Sequence, residues 1–297
     1  MTTRIFKSTF GRILLACGLS SSMRPFSRAA VPSSDSLTAA VIGATGAVGK
    51  EVVSHLINRD GWEKVIVINR RSLQYKSSKI EQHVIAMETE QLKRKCATAL
   101  QDADVLFITM GVGAASKVTE DVLRKVDVDL PTACSEGALK AGVKHVSILT
   151  AIGADADAKP STGVEAGLIS AALHVVTWVL PKTRAGGPLY NQCKGLVERN
   201  IGALEFPWGM SAFRPAALLG TPHTPGIIAM ISPTLDSIVP VKYKSSNINT
   251  VAAAMIHEAE QRAETQKGGN RIFEGERLHN IYGDVPFEHG TTHGDEL

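Results

Sequence analysis

Leu37-Thr38-Ala39-Ala40-Val41-Ile42-Gly43-Ala44-Thr45-Gly46-Ala47-Val48-Gly49 passes from a short apolar run directly into three glycines spaced three apart. A run of that length, β-branched at its end and followed at once by glycine, is what a buried parallel strand looks like. A helix is expected over Val48–Asn58, because Val48, Val52, Leu56 and Ile57 share one face while Lys50, Glu51 and Arg59 lie off it. Lys64–Asn69, with Val65, Ile66, Val67 and Ile68 consecutive, then reads as a second strand buried on both faces. Residues 37–70 therefore make one βαβ unit. In such a turn Gly43 permits the tight bend, Gly46 lets backbone approach a pyrophosphate, and Gly49 lets helix pack closely on strand. The helix start, Ala47-Val48-Gly49, adds free N–H groups and a positive dipole end, with Thr45 beside it. A tight turn alone needs glycines too, but their place inside a complete βαβ unit points to a bound dinucleotide.

The end of the second strand selects the dinucleotide. A carboxylate there bonds the ribose 2′-hydroxyl of NAD and would repel the extra phosphate of NADP. This chain has Asn69-Arg70-Arg71 instead. Guanidinium suits bidentate phosphate binding, so Arg70, with Arg71 in reserve or over the adenine, predicts NADP(H). A solvated basic turn is the alternative.

Beyond this unit the alternation repeats. Strands are expected near Gln82–Ala86, over Asp104–Thr109 and over His145–Thr150, with helices near Glu90–Leu100 and ending at Ala141-Gly142. A segment over 156–189 interrupts the pattern with a small-residue helix candidate, Val164–Leu180, closed by Pro181. Leu189–Ile201 reads as a helix, Gly209–Arg214 as a sixth strand ending at Pro215, and Thr250–Gln266 as a helix in an otherwise loop-rich remainder. The expected fold is α/β, a Rossmann-type doubly wound parallel sheet with helices on both faces and a small C-terminal substrate-side subregion. One domain is expected over 37–286, followed by a disordered tail over 287–297.

Of 297 residues, 32 are Lys or Arg and 29 Asp or Glu, and much of the excess lies in the first thirty. The near-neutral body argues against a nucleic-acid partner. Cys17, Cys96, Cys134 and Cys193 form no metal-ligand spacing, so no metal is expected. Residues 1–36 hold Arg4, Lys7, Arg12, Arg24 and Arg28, many Ser and Thr, and no acid before Asp35. That composition predicts a mitochondrial presequence. An unprocessed cytoplasmic tail is one alternative. The other is a secretory leader with an ER-retention ending, but Gly294-Asp295-Glu296-Leu297 begins with the wrong residue for that.

Tyr190 and Lys194 lie four apart, on one face of the helix Leu189–Ile201. A phenol is a poor acid or base at neutral pH, and a neighbouring ammonium stabilises its anion. Lys194 also suits a nicotinamide-ribose hydroxyl. With a hydroxyl from Thr150 at the end of the fifth strand, the three make a catalytic set for a carbonyl oxygen during hydride transfer. An exposed helix face is the alternative for the Tyr-x-x-x-Lys pattern.

These anchors, with Thr109-Met110-Gly111, Lys144-His145, Gly153-Ala154-Asp155, Gly195, Glu198, Phe213-Arg214-Pro215 and Val239-Pro240-Val241, resemble the atypical short-chain dehydrogenase/reductases. Within them the chain looks like the Tat-interacting-protein oxidoreductase branch and its fungal mitochondrial relatives, from about Ala39 to Ala263. The resemblance implies NADP(H) across the strand ends, with Met110, Gly111 and Val112 near a ribose and Pro215-Ala216-Ala217 near the nicotinamide. Two departures stand out. Thr150-Ala151 replaces the Ser-Ser the branch commonly has, and 156–189 is longer than its usual few residues. That segment suits a substrate cover, a homodimer surface, a peripheral membrane contact or a packed extra helix. The leading expectation is an NADP(H)-dependent oxidoreductase of a small carbonyl or alcohol. The alternatives are an NADP(H)-sensing protein with a regulatory protein partner and a mitochondrial assembly factor.

Overall fold

A computed structural model of the chain describes residues 36–113, 115–158, 187–221 and 240–284. Residues 1–35 of the expected leader, the helix expected over Val164–Leu180 and the tail expected from Phe287 fall outside the described residues.

The βαβ unit consists of β1 (Leu37–Ile42), α1 (Ala47–Ile57) and β2 (Trp62–Asn69). β1 and β2 run parallel, with Ile42 opposite Ile68. β3 (Ile80–Val84) extends the sheet beyond β2, two residues earlier than the sequence pattern suggested. Its register is set by β2: Val84 pairs with Asn69, and the Ile85 N–H closes the ladder on the Asn69 carbonyl. α2 (Thr89–Ala99) returns the chain to β4 (Val105–Ile108), which lies against the opposite edge of β1. α3 (Glu120–Arg124), a π-type turn at Lys125–Asp129 and α4 (Leu130–Ala141) follow. Gly142, at φ +93°, ends that helical run in the left-handed conformation that favours glycine. β5 (His145–Leu149), α5 (Pro188–Gly202) and β6 (Met210–Arg214) complete the expected elements of the sheet.

The strand order is β3-β2-β1-β4-β5-β6-β9, with β9 spanning Arg271–Glu274, all parallel. One apolar core, with Val52, Leu56, Val251 and Met255, lies on the α1 side, where α6 (Ile248–Thr265) packs. A second, with Leu92, Leu130, Cys134 and Ile201, lies beneath α2, α4 and α5 on the other face. The order reverses between β1 and β4, which opens a crevice at their carboxyl ends.

The C-terminal region is more ordered than its sequence suggested. β7 (Ala217–Leu219) pairs with β8 (Ser245–Asn247), β9 (Arg271–Glu274) forms the far edge of the main sheet, and α7 (Glu276–Asp284) follows it. β9 escapes a sequence reading because only four residues long, Arg271-Ile272-Phe273-Glu274, it puts charge at both ends and buries only Phe273.

Candidate functional site

The crevice at the strand ends is a cleft of about 550 Å³ lined by Gly43, Thr45, Gly46, Asn69, Arg70, Arg71, Met110, Gly111 and Val112, among others. Gly43 has φ +94°, and a Cβ there would lie 2.5 Å from the Met110 nitrogen. At Gly49 a Cβ would lie 2.2 Å from the Gly43 carbonyl oxygen. Both positions exclude any side chain, so α1 starts as close to β1 and β4 as backbone permits. Ala47 and Val48 open α1, whose first turn carries no acidic residue and no side-chain cap. Its amide donors and positive dipole end are thus left to a ligand.

At the end of β2 the Asn69 side chain turns inward, donating from Nδ2 to Tyr75 Oη and to Gln82 Oε1, each at 3.1 Å. Gln82 also accepts from the Leu73 N–H at 2.8 Å. This cluster braces the bend that carries Arg70 and Arg71, both exposed and without a hydrogen-bond or ion-pair partner among the described residues. The residues present fit a dinucleotide: a glycine cradle, an uncapped helix start, two unengaged guanidiniums and no carboxylate at the tip of β2.

Tyr190 and Lys194 do not line the cleft; they stand on α5 behind Gly111, which does. Lys194 is buried, and its Nζ lies 5.4 Å from the Tyr190 ring centroid. Gly111, on the cleft wall, lies so near that a Cβ there would be 3.5 Å from Lys194 Nζ. The ammonium is paired with the buried Asp127 carboxylate at 2.6 Å. Burial pushes the Lys194 pKa down, but the charges of Tyr190 and Asp127 together with the Asp127 hydrogen bond outweigh it, and the net shift is upward. The second Asp127 oxygen accepts the Val112 N–H at 3.2 Å. Asp127 escaped the sequence reading. It sits 67 positions before its lysine within a helical run, and its one sequence signal is a carboxylate alternating with Val126 and Val128.

Thr150 is placed at the end of β5, but its hydroxyl is engaged. Oγ1 donates to Glu198 Oε1 at 2.5 Å and lies 3.3 Å from the Phe213 carbonyl oxygen. Glu198 is clamped by Arg214, which also donates to Glu274 at 2.9 Å, and Lys242 pairs with Glu274 at 3.2 Å. Arg214 is thereby shifted upward; Glu274 is shifted downward, its two cations outweighing burial. The network ties β5, α5, β6 and β9 together at their carboxyl ends. Pro215 and Ala216 do not line the cleft; the Pro215 carbonyl accepts the Ile152 N–H. The loop after β5 lies hard on α5, since a Cβ on Gly195 would be 2.0 Å from the Ala156 nitrogen.

Fold and cleft together define a Rossmann-type nucleotide-binding protein. Residues 43–174 match the NAD(P)H-binding family model. It is similar to the protein FMP52, mitochondrial, of Eremothecium gossypii, at 28% identity over 63% of this chain and 69% of that one. It is also similar to the protein HTATIP2 of Rattus norvegicus, at 28% identity over 60% of this chain and 62% of the relative, less than two thirds of its length. Among solved structures it shares its fold with the oxidoreductase ylbE from Lactococcus lactis. The TM-score is 0.51 at 16% identity, covering 86% of this chain and 100% of that one. The resemblance expected from the sequence and the doubly wound fold both agree with these findings.

Proposed function

We propose that the chain is an NADP(H)-dependent oxidoreductase that reduces a small carbonyl or oxidises the corresponding alcohol. The observation that carries the reading is that Tyr190 and the ion-paired Lys194 stand together directly behind Gly111, on the wall of a glycine-lined cleft that also bears the unengaged Arg70 and Arg71. Arg70 and Arg71 hold the 2′-phosphate, the first turn of α1 holds the pyrophosphate, and Lys194 donates to ribose hydroxyls. NADPH, when bound, supplies a hydride to the carbonyl carbon. Tyr190 gives its phenolic proton to the carbonyl oxygen as the C–O bond becomes an alcohol, and is reprotonated from solvent. A thermal-shift series with NADPH, NADP, NADH and NAD tests the binding, because selective binding stabilises the folded state by mass action. Equal shifts from all four, or none, would sink the cofactor assignment. Turnover across aldehydes, ketones and quinones tests the chemistry.

A second reading, an NADP(H)-responsive binding protein with little turnover, is favoured by one observation: the Thr150 hydroxyl is committed to Glu198. It predicts partner capture that changes on adding NADPH, and a pull-down indifferent to NADPH would count against it. For location we propose mitochondria, on the basic leader and the mitochondrial name of the fungal relative. No helix among the described residues is long and apolar enough to cross a membrane.

A further inference from the structure

We propose that Asp127 is a positioning residue of the dinucleotide site: its carboxylate holds the buried Lys194 ammonium against the Gly111-Val112 backbone, so that the lysine meets the ligand as a fixed cation. The inference rests on the proposed function for the identity of the ligand, and on geometry for the rest.

Each carboxylate oxygen of Asp127 has its own task. One pairs with Lys194 Nζ at 2.6 Å and the other accepts the Val112 N–H at 3.2 Å. The first partner belongs to α5 and the second to the loop after β4, so a single side chain, 1% exposed, ties α5 to the cleft wall. The local backbone is built for it. Lys125–Asp129 widens from α- to π-type hydrogen bonding between α3 and α4, and such bulges shift the direction in which side chains leave a helix. Gly111 completes the arrangement, since a Cβ there would lie 3.2 Å from Asp127 Oδ1 and 3.5 Å from Lys194 Nζ. Even an alanine there would press the Asp127 carboxylate by a few tenths of an ångström.

The groups facing Lys194 are few. Tyr190 and Cys193 flank it on α5 and Asp127 faces it from the π-type turn, while Glu120 and Arg124 of α3 act on the adjacent Cys193. Asp127 alone among them is a buried carboxylate in contact with the ammonium. A buried ammonium without its counter-ion is costly and sheds its proton instead. Asparagine at 127 is nearly isosteric but can offer its oxygen to only one of the two partners, and carries no charge.

Thermal unfolding of the full chain, wild type and Asp127→Asn, with and without NADPH, between about pH 7 and about pH 9, tests the proposal. Without ligand, the variant is expected to be least stable relative to wild type at neutral pH and to recover as pH rises, because its unpaired Lys194 then loses its proton. With NADPH the trend is opposite. Affinity is expected to be roughly tenfold below wild type near neutrality and to fall further with rising pH, as the lysine loses its donors. A stability deficit and an affinity ratio that both ignore pH would overturn the proposal, since a merely structural role moves neither with pH. If wild type binds no NADPH, the functional reading fails, while the pH-dependence of the ligand-free deficit still tests the pair. If Asp127→Asn does not fold, the double variant Asp127→Asn/Lys194→Gln, which carries neither charge, is expected to fold; its failure as well would overturn the pairing.

Discussion

The Thr150 hydroxyl donates to Glu198 Oε1 at 2.5 Å, and Arg214 clamps the same carboxylate. A hydroxyl has one proton to give. While Thr150 gives it to Glu198, it can accept from a substrate hydroxyl but cannot donate to a carbonyl, which leaves Tyr190 as the donor. Thr150→Val, which keeps the shape and removes the proton, is therefore expected to lower stability by about 1 kcal/mol and leave any carbonyl reductase activity within a few-fold of wild type. Tyr190→Phe is expected to lower the same activity by roughly a hundredfold or more. Steady-state kinetics on both variants checks this. The reverse ranking would make Thr150 the catalytic hydroxyl.

Arg70 and Arg71 are exposed and unengaged, so replacing them disturbs no described contact. Arg70→Ala is expected to weaken NADPH by roughly ten- to a hundredfold, the size of a charge-assisted hydrogen bond to phosphate, and to leave NADH within about threefold. Added salt should weaken NADPH binding more steeply than NADH binding. Titration of cofactor fluorescence at two ionic strengths measures both effects, and an equal loss for the two cofactors would place the 2′-phosphate elsewhere.

The glycine turn, the two-sided strands β1 and β2 and the order of alternating elements were legible because each writes itself locally: periodicity, then glycine, then helix. The site was legible only where its residues share one element, as Tyr190 and Lys194 share α5. Asp127 and Lys194 meet through tertiary packing across 67 positions, and no local pattern records that. Thr150 was read from its place at a strand end, yet the direction of its hydroxyl is set by Glu198 and Arg214, from a later helix and strand. β9 was missed because four residues with charged ends hold too little periodicity, and its pairing with β6 supplies what the sequence lacks.

Gly195 supports the site from outside it. A Cβ there would sit 2.0 Å from the Ala156 nitrogen and 2.2 Å from the Asp155 carbonyl carbon, backbone atoms that cannot swing aside. Gly195→Ala is expected to push the loop after β5 off α5, costing about 1–3 kcal/mol, although alanine is the better helix former. Gly142→Ala makes the comparison: a Cβ there meets nothing, and only its φ of +93° opposes the change, so about 1 kcal/mol is expected. Denaturant unfolding of both ranks them, and a larger loss at Gly142 would mean that conformation outweighs packing.

His145 gives stability a definite dependence on pH. Its ring is fully buried with Nδ1 2.8 Å from the Gly209 carbonyl oxygen. A carbonyl only accepts, so Nδ1 carries the hydrogen. Burial, with the Arg262 cation nearby, lowers its pKa from 6.5 to about 3. The unfolded chain thus takes up a proton near pH 6.5 that the folded chain refuses until about pH 3. Between those values the unfolded state binds more protons, so the contribution is full above pH 6.5 and is lost as pH falls. From neutrality to about pH 5 the loss amounts to about 2 kcal/mol at about 1.4 kcal/mol per unit. Urea unfolding of wild type and His145→Asn at both pH values isolates this term from the other titrating groups. The variant starts less stable at neutral pH, and the gap to wild type is expected to narrow by about that amount at the lower pH. A gap that stays constant would mean that His145 takes its proton in the folded state, and that the Arg262 side of the core admits a second cation.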